Sequence, residues 1–281
     1  MLPHFLFMTT ATAAIILFTL LPFLPGRYDA LAAPLSGMSY FFGRAGLLLV
    51  PIGALWVASR YSTRFAGRQH LFALAALFVS SIVWLAVSLP AFMVDSMLLG
   101  LGVLAFGAYL IFRAARWVRV LKQSPSRPAS PIAFYLVIVP VAVFLLQTAL
   151  IGPVTEFSRS RAIRNSSPLI AEIERYRAAR GRYPPSLLAV WNDYWPSVIG
   201  IKEFRYEPSG DDSYNLFFEQ FSLRLGTREF VMYNPRDQQA MTSHAMDVLQ
   251  LSAEELQLDQ RRGFNEVHDT PHPHWKYFWF D

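Results

Sequence analysis

The chain has 281 residues, 53% of them hydrophobic and 16% charged, with a formal net charge of +5 and no cysteine. A soluble globular domain carries about 45–50% apolar and about 25% charged residues, so this composition excludes an ordinary soluble protein. Nor does the positive charge mark a nucleic-acid binder: residues 1–152 hold 10 Lys and Arg against 2 Asp and Glu, whereas residues 153–281 hold 15 against 18. The basic excess falls between apolar stretches and not on a polar face, so no nucleic-acid partner is expected.

In chain order, residues 5–24, 40–59, 71–93, 96–112 and 133–152 form five apolar stretches. The first, third and fifth reach the roughly 20 residues that a bilayer span requires. The fourth lies between Asp95 and Arg113, at the short end of that range. In the second, only residues 45–59 are uncharged. It spans if Arg44 sits near the interface and snorkels outward, beside the aromatic belt of Tyr40, Phe41 and Phe42. Arg44 and Asp95 are read as independent interfacial charges, with an Arg44–Asp95 or Arg44–Asp29 pair as the alternative. Gln147 is expected to hydrogen-bond a neighbouring helix. Pro51 and Pro140 are expected to kink their helices. Together these stretches predict a five-span α-helical bundle over residues 1–153, with the lipid bilayer as its first partner.

The connecting loops set an expected orientation. Arg60, Arg64 and Arg68 follow the second span; Arg113, Arg116, Arg119, Lys122 and Arg127 follow the fourth. The alternate loops carry Arg27 and Arg44 with the acids Asp29 and Asp95. By the positive-inside rule the N-terminus and the two basic loops are cytoplasmic. Five spans then place the tail outside the cytoplasmic membrane. The first span is read as a retained helix, because Met1–His4 lack Lys and Arg and the apolar run exceeds a signal peptide's core. Without cysteine, the outer domain must stand on its packed core.

After the fifth span, Gly152-Pro153 is expected to break or bend the chain, and residues 157–166 read as an Arg- and Ser-rich linker. Arg159, Arg161 and Arg164 read as its solvated face, with lipid phosphates or an acidic partner as the alternative. Ser167-Pro168 reads as an N-cap with proline at the first helical position. Leu169, Ile170, Ile173 and Tyr176 then form one apolar face, with Glu172, Glu174, Arg175, Arg177 and Arg180 on the other. Gly181 is the expected C-terminal stop. A short second helix follows Pro185. Strands are expected at Phe204 to Tyr206, Tyr214 to Phe221, Glu229 to Tyr233 and Trp275 to Phe280, with residues 208–213 as a turn. Ser252 and Glu255 fit a capping box.

This order over residues 154–281, one long helix followed by an antiparallel meander, carries a resemblance. The residues are Leu169-Ile170-Ala171-Glu172-Ile173-Glu174-Arg175-Tyr176, then Gly181-Arg182-Tyr183-Pro184, then Ser186-Leu187, and the hairpin from Tyr206 to Phe218. They resemble the extracytoplasmic module of type IV pilins and type II secretion pseudopilins. The resemblance implies an α+β domain in which a long helix packs on an antiparallel sheet. The glycine would end the helix, the tyrosine pack back on it, and the proline redirect the chain. It also implies an envelope protein as partner. A pilin carries one continuous apolar helix behind a cleaved leader. Here four further spans precede the module, so the chain reads as a pilin-like domain on a polytopic anchor and not as a filament subunit.

Few residues suggest chemistry. His268, His272 and His274, with Asp269 between them, offer nitrogen and oxygen ligands within seven residues, a possible divalent-metal site; a solvated, proline-rich lead into the last strand is the alternative. Trp191, Tyr194 and Trp195 offer a partner-binding patch, or else core packing. Asp211-Asp212 lacks the alternating oxygen ligands of a calcium loop and reads as a turn. No nucleophile elbow, phosphate loop or metalloprotease motif is present in the sequence, so a non-enzymatic protein is expected. The expected function is presentation of the outer domain to a protein partner. The alternative is a transport or sensor protein with that domain as lid or ligand module.

Overall fold

The computed structural model describes residues 2–59, 69–93, 97–123, 131–190, 193–209, 212–224, 226–239, 242–243, 246–247 and 265–280. Six α-helices come first among them: α1 (Leu2–Leu20), α2 (Ala32–Ala45), α3 (Val50–Ala58), α4 (Gln69–Met93), α5 (Met97–Gln123) and α6 (Ile132–Arg180). Seven strands follow: β1 (Arg205–Ser209), β2 (Ser213–Gln220), β3 (Arg228–Tyr233), β4 (Thr242–Ser243), β5 (Met246–Asp247), β6 (Asn265–Asp269) and β7 (Trp275–Phe280). Five helical segments are long and apolar enough to cross a membrane: Pro3–Phe23, Ala32–Ala58, Gln69–Ala86, Gly100–Arg119 and the apolar part of Ile132–Arg180. The chain divides into two compact units, one of Met1–Leu20 with Pro34–Gly152, the other of Leu21–Ala33 with Pro153–Asp281. Leu21–Ala33, which sequence reading assigned to the first domain, thus groups with the second.

The second apolar stretch, most of which lies in the first unit, becomes helical earlier than its composition implied. The Asp29 carboxylate accepts the Leu31 N–H at 2.9 Å and the Asp29 carbonyl accepts the Ala32 N–H at 3.1 Å, so the turn before Pro34 starts a helix at Ala32. The helical run then reaches Ala58 through a 3₁₀ turn, Gly46–Leu49, just before Pro51. Arg44 therefore lies inside a 27-residue segment and not at its end. Its guanidinium sits 4.4 Å from the centre of the Tyr40 ring, one turn away, and 5.5 Å from that of Phe144. Asp95, its alternative partner, lies outside the described residues. Gln147 is fully buried and donates to Thr19 Oγ1 at 3.0 Å and to the Ser39 carbonyl at 3.2 Å, as expected of a helix-to-helix bond. Trp84 donates to the Val103 carbonyl at 3.1 Å, tying α4 to α5.

The main correction concerns α6. Gly152-Pro153 does not break the chain and Ser167 does not cap a new helix: α6 runs 49 residues without interruption, through Pro140, Pro153 and Pro168. A proline removes one intrahelical bond and costs about 3 kcal/mol in an unsupported helix interior. Here packing flanks each site. Val143 and Gln147 are buried in the first unit, and Ala162, Ile163, Leu169 and Ile173 in the second. The Ser166 hydroxyl donates back to the Ile163 carbonyl at 2.7 Å. Tertiary burial outweighs the local breakers.

In the second unit the C-terminal part of α6 packs on one face of a five-stranded antiparallel sheet of order β1-β2-β3-β7-β6. The register pairs Leu216 with Tyr233, Phe218 with Val231, Val231 with Tyr277 and Tyr233 with Trp275, so these side chains share the face toward the helix. Leu169, Ile173, Tyr214, Leu216, Phe218 and Val231 form its buried centre. β6, at the sheet edge, was not expected from the sequence. The short helix foreseen after Pro185 is a single 3₁₀ turn, Leu187–Ala189. The capping box at 252–255 lies outside the described residues.

Candidate functional site

Gly181 ends α6 with φ of 72° and donates its N–H to the Arg177 carbonyl at 2.8 Å, a left-handed cap that favours glycine. The chain turns back at once. The Tyr183 ring meets Tyr214 with centroids 4.8 Å apart, and its hydroxyl accepts from Arg177 at 2.8 Å. The Tyr206 hydroxyl donates to the Pro184 carbonyl at 2.8 Å. Glu174, read as solvent-facing, points inward. Its Oε1 accepts from the Tyr183 hydroxyl at 3.3 Å and the Tyr214 hydroxyl at 3.2 Å. Burial, and then the nearby charge of Glu174, raise the Tyr183 phenol above its ordinary pKa. Burial likewise pushes up Tyr206, Tyr214 and Tyr233. Tyr183 and Tyr214 thus stay neutral donors to one carboxylate and fix the helix end to the sheet.

About four turns further back along α6, Arg159 departs from the solvated-linker reading. Its side chain is 5% exposed and that of its partner Glu229, on β3, is 4% exposed. Nε and Nη2 of Arg159 donate to Glu229 Oε1 at 3.1 and 2.7 Å, while Nη1 pairs with Glu156. Trp279 Nε1 donates to the other Glu229 oxygen at 2.8 Å. The guanidinium also lies 3.7 Å from the Tyr277 ring centre. Arg161 donates to the Ser197 carbonyl at 3.2 Å. The acidic partner of Arg159 is therefore internal, whereas Arg164 is exposed, as the solvated-face reading expected.

The histidine segment forms the turn between β6 and β7. Trp275 N–H donates to the His272 carbonyl at 3.3 Å and Thr270 Oγ1 to the Trp275 carbonyl at 2.9 Å. The structure does not bring the three rings together. His268 stacks on Tyr277, opposite it in the register, with centroids 4.7 Å apart. His272 Nε2 lies 3.2 Å from Ser160 Oγ on α6. His274, at φ 65°, sets Nδ1 3.0 Å from the Asp237 carboxylate. Among the described residues no three His, Asp or Glu side chains group as a metal site would require.

Of the aromatic patch, Trp191 lies outside the described residues, Tyr194 packs on the core, and Trp195 is 63% exposed. Near Tyr194 in sequence stands Leu188, 97% exposed on the 3₁₀ turn and absent from the sequence-derived candidates. Its signal was the apolar pair Leu187-Leu188 after Pro184-Pro185: one leucine packs against the core and the next cannot. Comparison with protein-family models, with curated proteins and with solved structures returns no match.

Proposed function

We propose that the chain is a multi-pass protein of the cytoplasmic membrane that presents a pilin-like domain outside it to a protein partner of the cell envelope. One observation carries the reading. A single helix, Ile132–Arg180, holds an apolar stretch long enough for a span and then packs its C-terminal part on an antiparallel sheet. The interruption that separated the sequence from a pilin-type helix is gone. The turn lends the reading support: Gly181 ends the helix, Tyr183 packs back on the core, and the chain turns at Pro184. Leu188 and Trp195 are the large apolar groups left exposed beside that turn, the kind of side chain that anchors interfaces. A photo-crosslinking residue at Leu188 or Trp195, in intact cells, is expected to trap one discrete envelope protein, with none trapped from Ala178 on the exposed helix face. The same adduct pattern from all three positions, or none, contradicts the proposal.

A second reading, transport or sensing by the helical bundle, rests on Arg44 within the second apolar segment and on Gln147, whose Oε1 is buried without a hydrogen-bond partner. Intramembrane polar groups commonly mark a pathway. Ligand-dependent stabilisation of the full chain, with no crosslinked partner, favours this second reading over the first.

A further inference from the structure

We infer that Arg44 is an intramembrane docking point for a membrane-spanning helix of another protein, one that carries a carboxylate at mid-depth. The inference rests on the reading that Ala32–Ala58 and the apolar part of Ile132–Arg180 cross the bilayer.

Depth is the first observation. Arg44 stands beside the centre of the 27-residue segment Ala32–Ala58. A second helix fixes the same level. The Arg44 guanidinium lies 5.5 Å from the Phe144 ring centre, and a Cβ on Gly43 would fall 2.6 Å from Val143. Val143 and Phe144 sit mid-way along the apolar stretch 133–152. A hydrocarbon core is about 30 Å thick, so headgroup phosphates lie roughly 15 Å from this level, beyond the reach of an arginine side chain. Arg44 is also exposed, and so is Leu48, one turn further along the same helical run. The two therefore share a face turned away from the bundle.

Charge complementarity then names the partner. Arg44 is steadied by rings and not neutralised: Tyr40 and Phe144 flank the guanidinium, which has no hydrogen bond or ion pair among the described residues. The acids of its own chain stand at other depths. Residues 1–152 hold two, Asp29 and Asp95. The Asp29 carboxylate accepts the Leu31 N–H and so stays at the start of α2, about 18 Å of helix from Arg44. Asp95 follows the end of α4 at Met93; Trp84, whose ring meets that of Phe42 at 5.9 Å, lies about 14 Å before that end. A second copy of the chain brings the same two acids at the same depths, so the anion comes from a different protein. A charged side chain facing hydrocarbon without a partner is costly. A carboxylate at the same level removes that cost, and the guanidinium fork matches it with two parallel bonds.

The test uses the full chain in nanodiscs. A donor dye is placed on Leu48→Cys, and energy transfer reports the binding of dye-labelled synthetic leucine–alanine helices. Three helices differ at the central residue, which is glutamate, glutamine or leucine. The glutamate helix is expected to bind about tenfold or more tightly than the other two, and Arg44→Leu and Arg44→Gln to remove that preference. Equal binding of the glutamate and glutamine helices to the chain with Arg44 intact, or a preference that survives both substitutions, overturns the inference. Retention of phosphatidylglycerol over phosphatidylcholine that depends on Arg44, with no preference among the helices, assigns Arg44 to a lipid phosphate and also overturns it. Release of the chain from cell membranes by alkaline carbonate would refute the spanning reading itself, and the inference with it.

Discussion

Removing the Glu229 carboxylate is expected to be the most damaging single charge deletion in the second unit. Glu229→Ala leaves the Arg159 guanidinium buried, takes away the acceptor of Trp279 Nε1, and leaves Glu156 as the remaining anion beside Arg159. Deleting one member of a buried ion pair costs about 3–5 kcal/mol, because the other charge is stranded away from water. In a unit of this size each kcal/mol lowers the unfolding midpoint by about 3 °C, so the midpoint should fall by roughly 10 °C. An internal control is available. Arg228 and Glu219 form a bidentate pair at 2.9 Å, but their side chains are 60% and 39% exposed. Glu219→Ala should cost about 0–1 kcal/mol. Replacing both buried partners, as Arg159→Met with Glu229→Leu, should recover most of the loss, since no unpaired charge remains. The assay is thermal unfolding of the full chain in detergent, followed by proteolysis and by tryptophan emission, to which Trp279 contributes. A Glu229→Ala penalty no larger than that of Glu219→Ala would show that the pair is solvated and refute the reasoning.

Burial holds Tyr183, Tyr206, Tyr214, Tyr233 and Tyr277 above the ordinary phenol pKa of about 10. Their unfolded forms ionise first, so stability is fully present below about pH 10 and falls as pH rises beyond it; phenolate absorbance should therefore rise together with unfolding, and ionisation of all tyrosines near pH 10 in a folded chain contradicts this. Gly200→Ala drives a Cβ against the Pro22 carbonyl and should cost about 1–3 kcal/mol. Its signature is faster amide exchange at Gly26 and Asp29, and unchanged exchange there refutes the close crossing. Gln147→Leu loses two bonds but also removes an orphaned acceptor, so its effect should stay within about 1 kcal/mol; a loss above about 3 kcal/mol in the same thermal assay indicates a larger polar network.

Much of this was readable where the signal is local. The spacing of Leu169 and Ile173 picks out the buried stripe, and Gly181, Tyr183 and Pro184 mark the turn. The failures share one cause: the deciding contact is distant in sequence. Gly152-Pro153 and Ser167-Pro168 are strong local punctuation, yet α6 continues because residues on either side of them are buried. Arg159 reads as a linker charge because Glu229 lies 70 residues away on a strand. A signal for it did exist. Extending the stripe of Leu169 and Ile173 backward by helical steps passes through Ser166 and Ala162 to Arg159, all of them buried. Residues 21–24 read as the end of the first span and residues 25–33 as a plain loop, and their bonds to residues 197–200 have no local pattern. The histidine cluster misleads in the opposite way: residues close in sequence occupy one turn and take separate partners.

The central claim is an outer domain carried by a membrane anchor, and the absence of native cysteine makes it directly testable. A single cysteine is introduced as Leu188→Cys, at the most exposed large apolar side chain among the described residues of the second unit, or as Arg64→Cys in the basic loop. Intact cells are treated with a membrane-impermeant maleimide. The account predicts labelling at position 188 in intact cells and at position 64 only after the membrane is opened. Labelling at 64 with protection at 188 would contradict it.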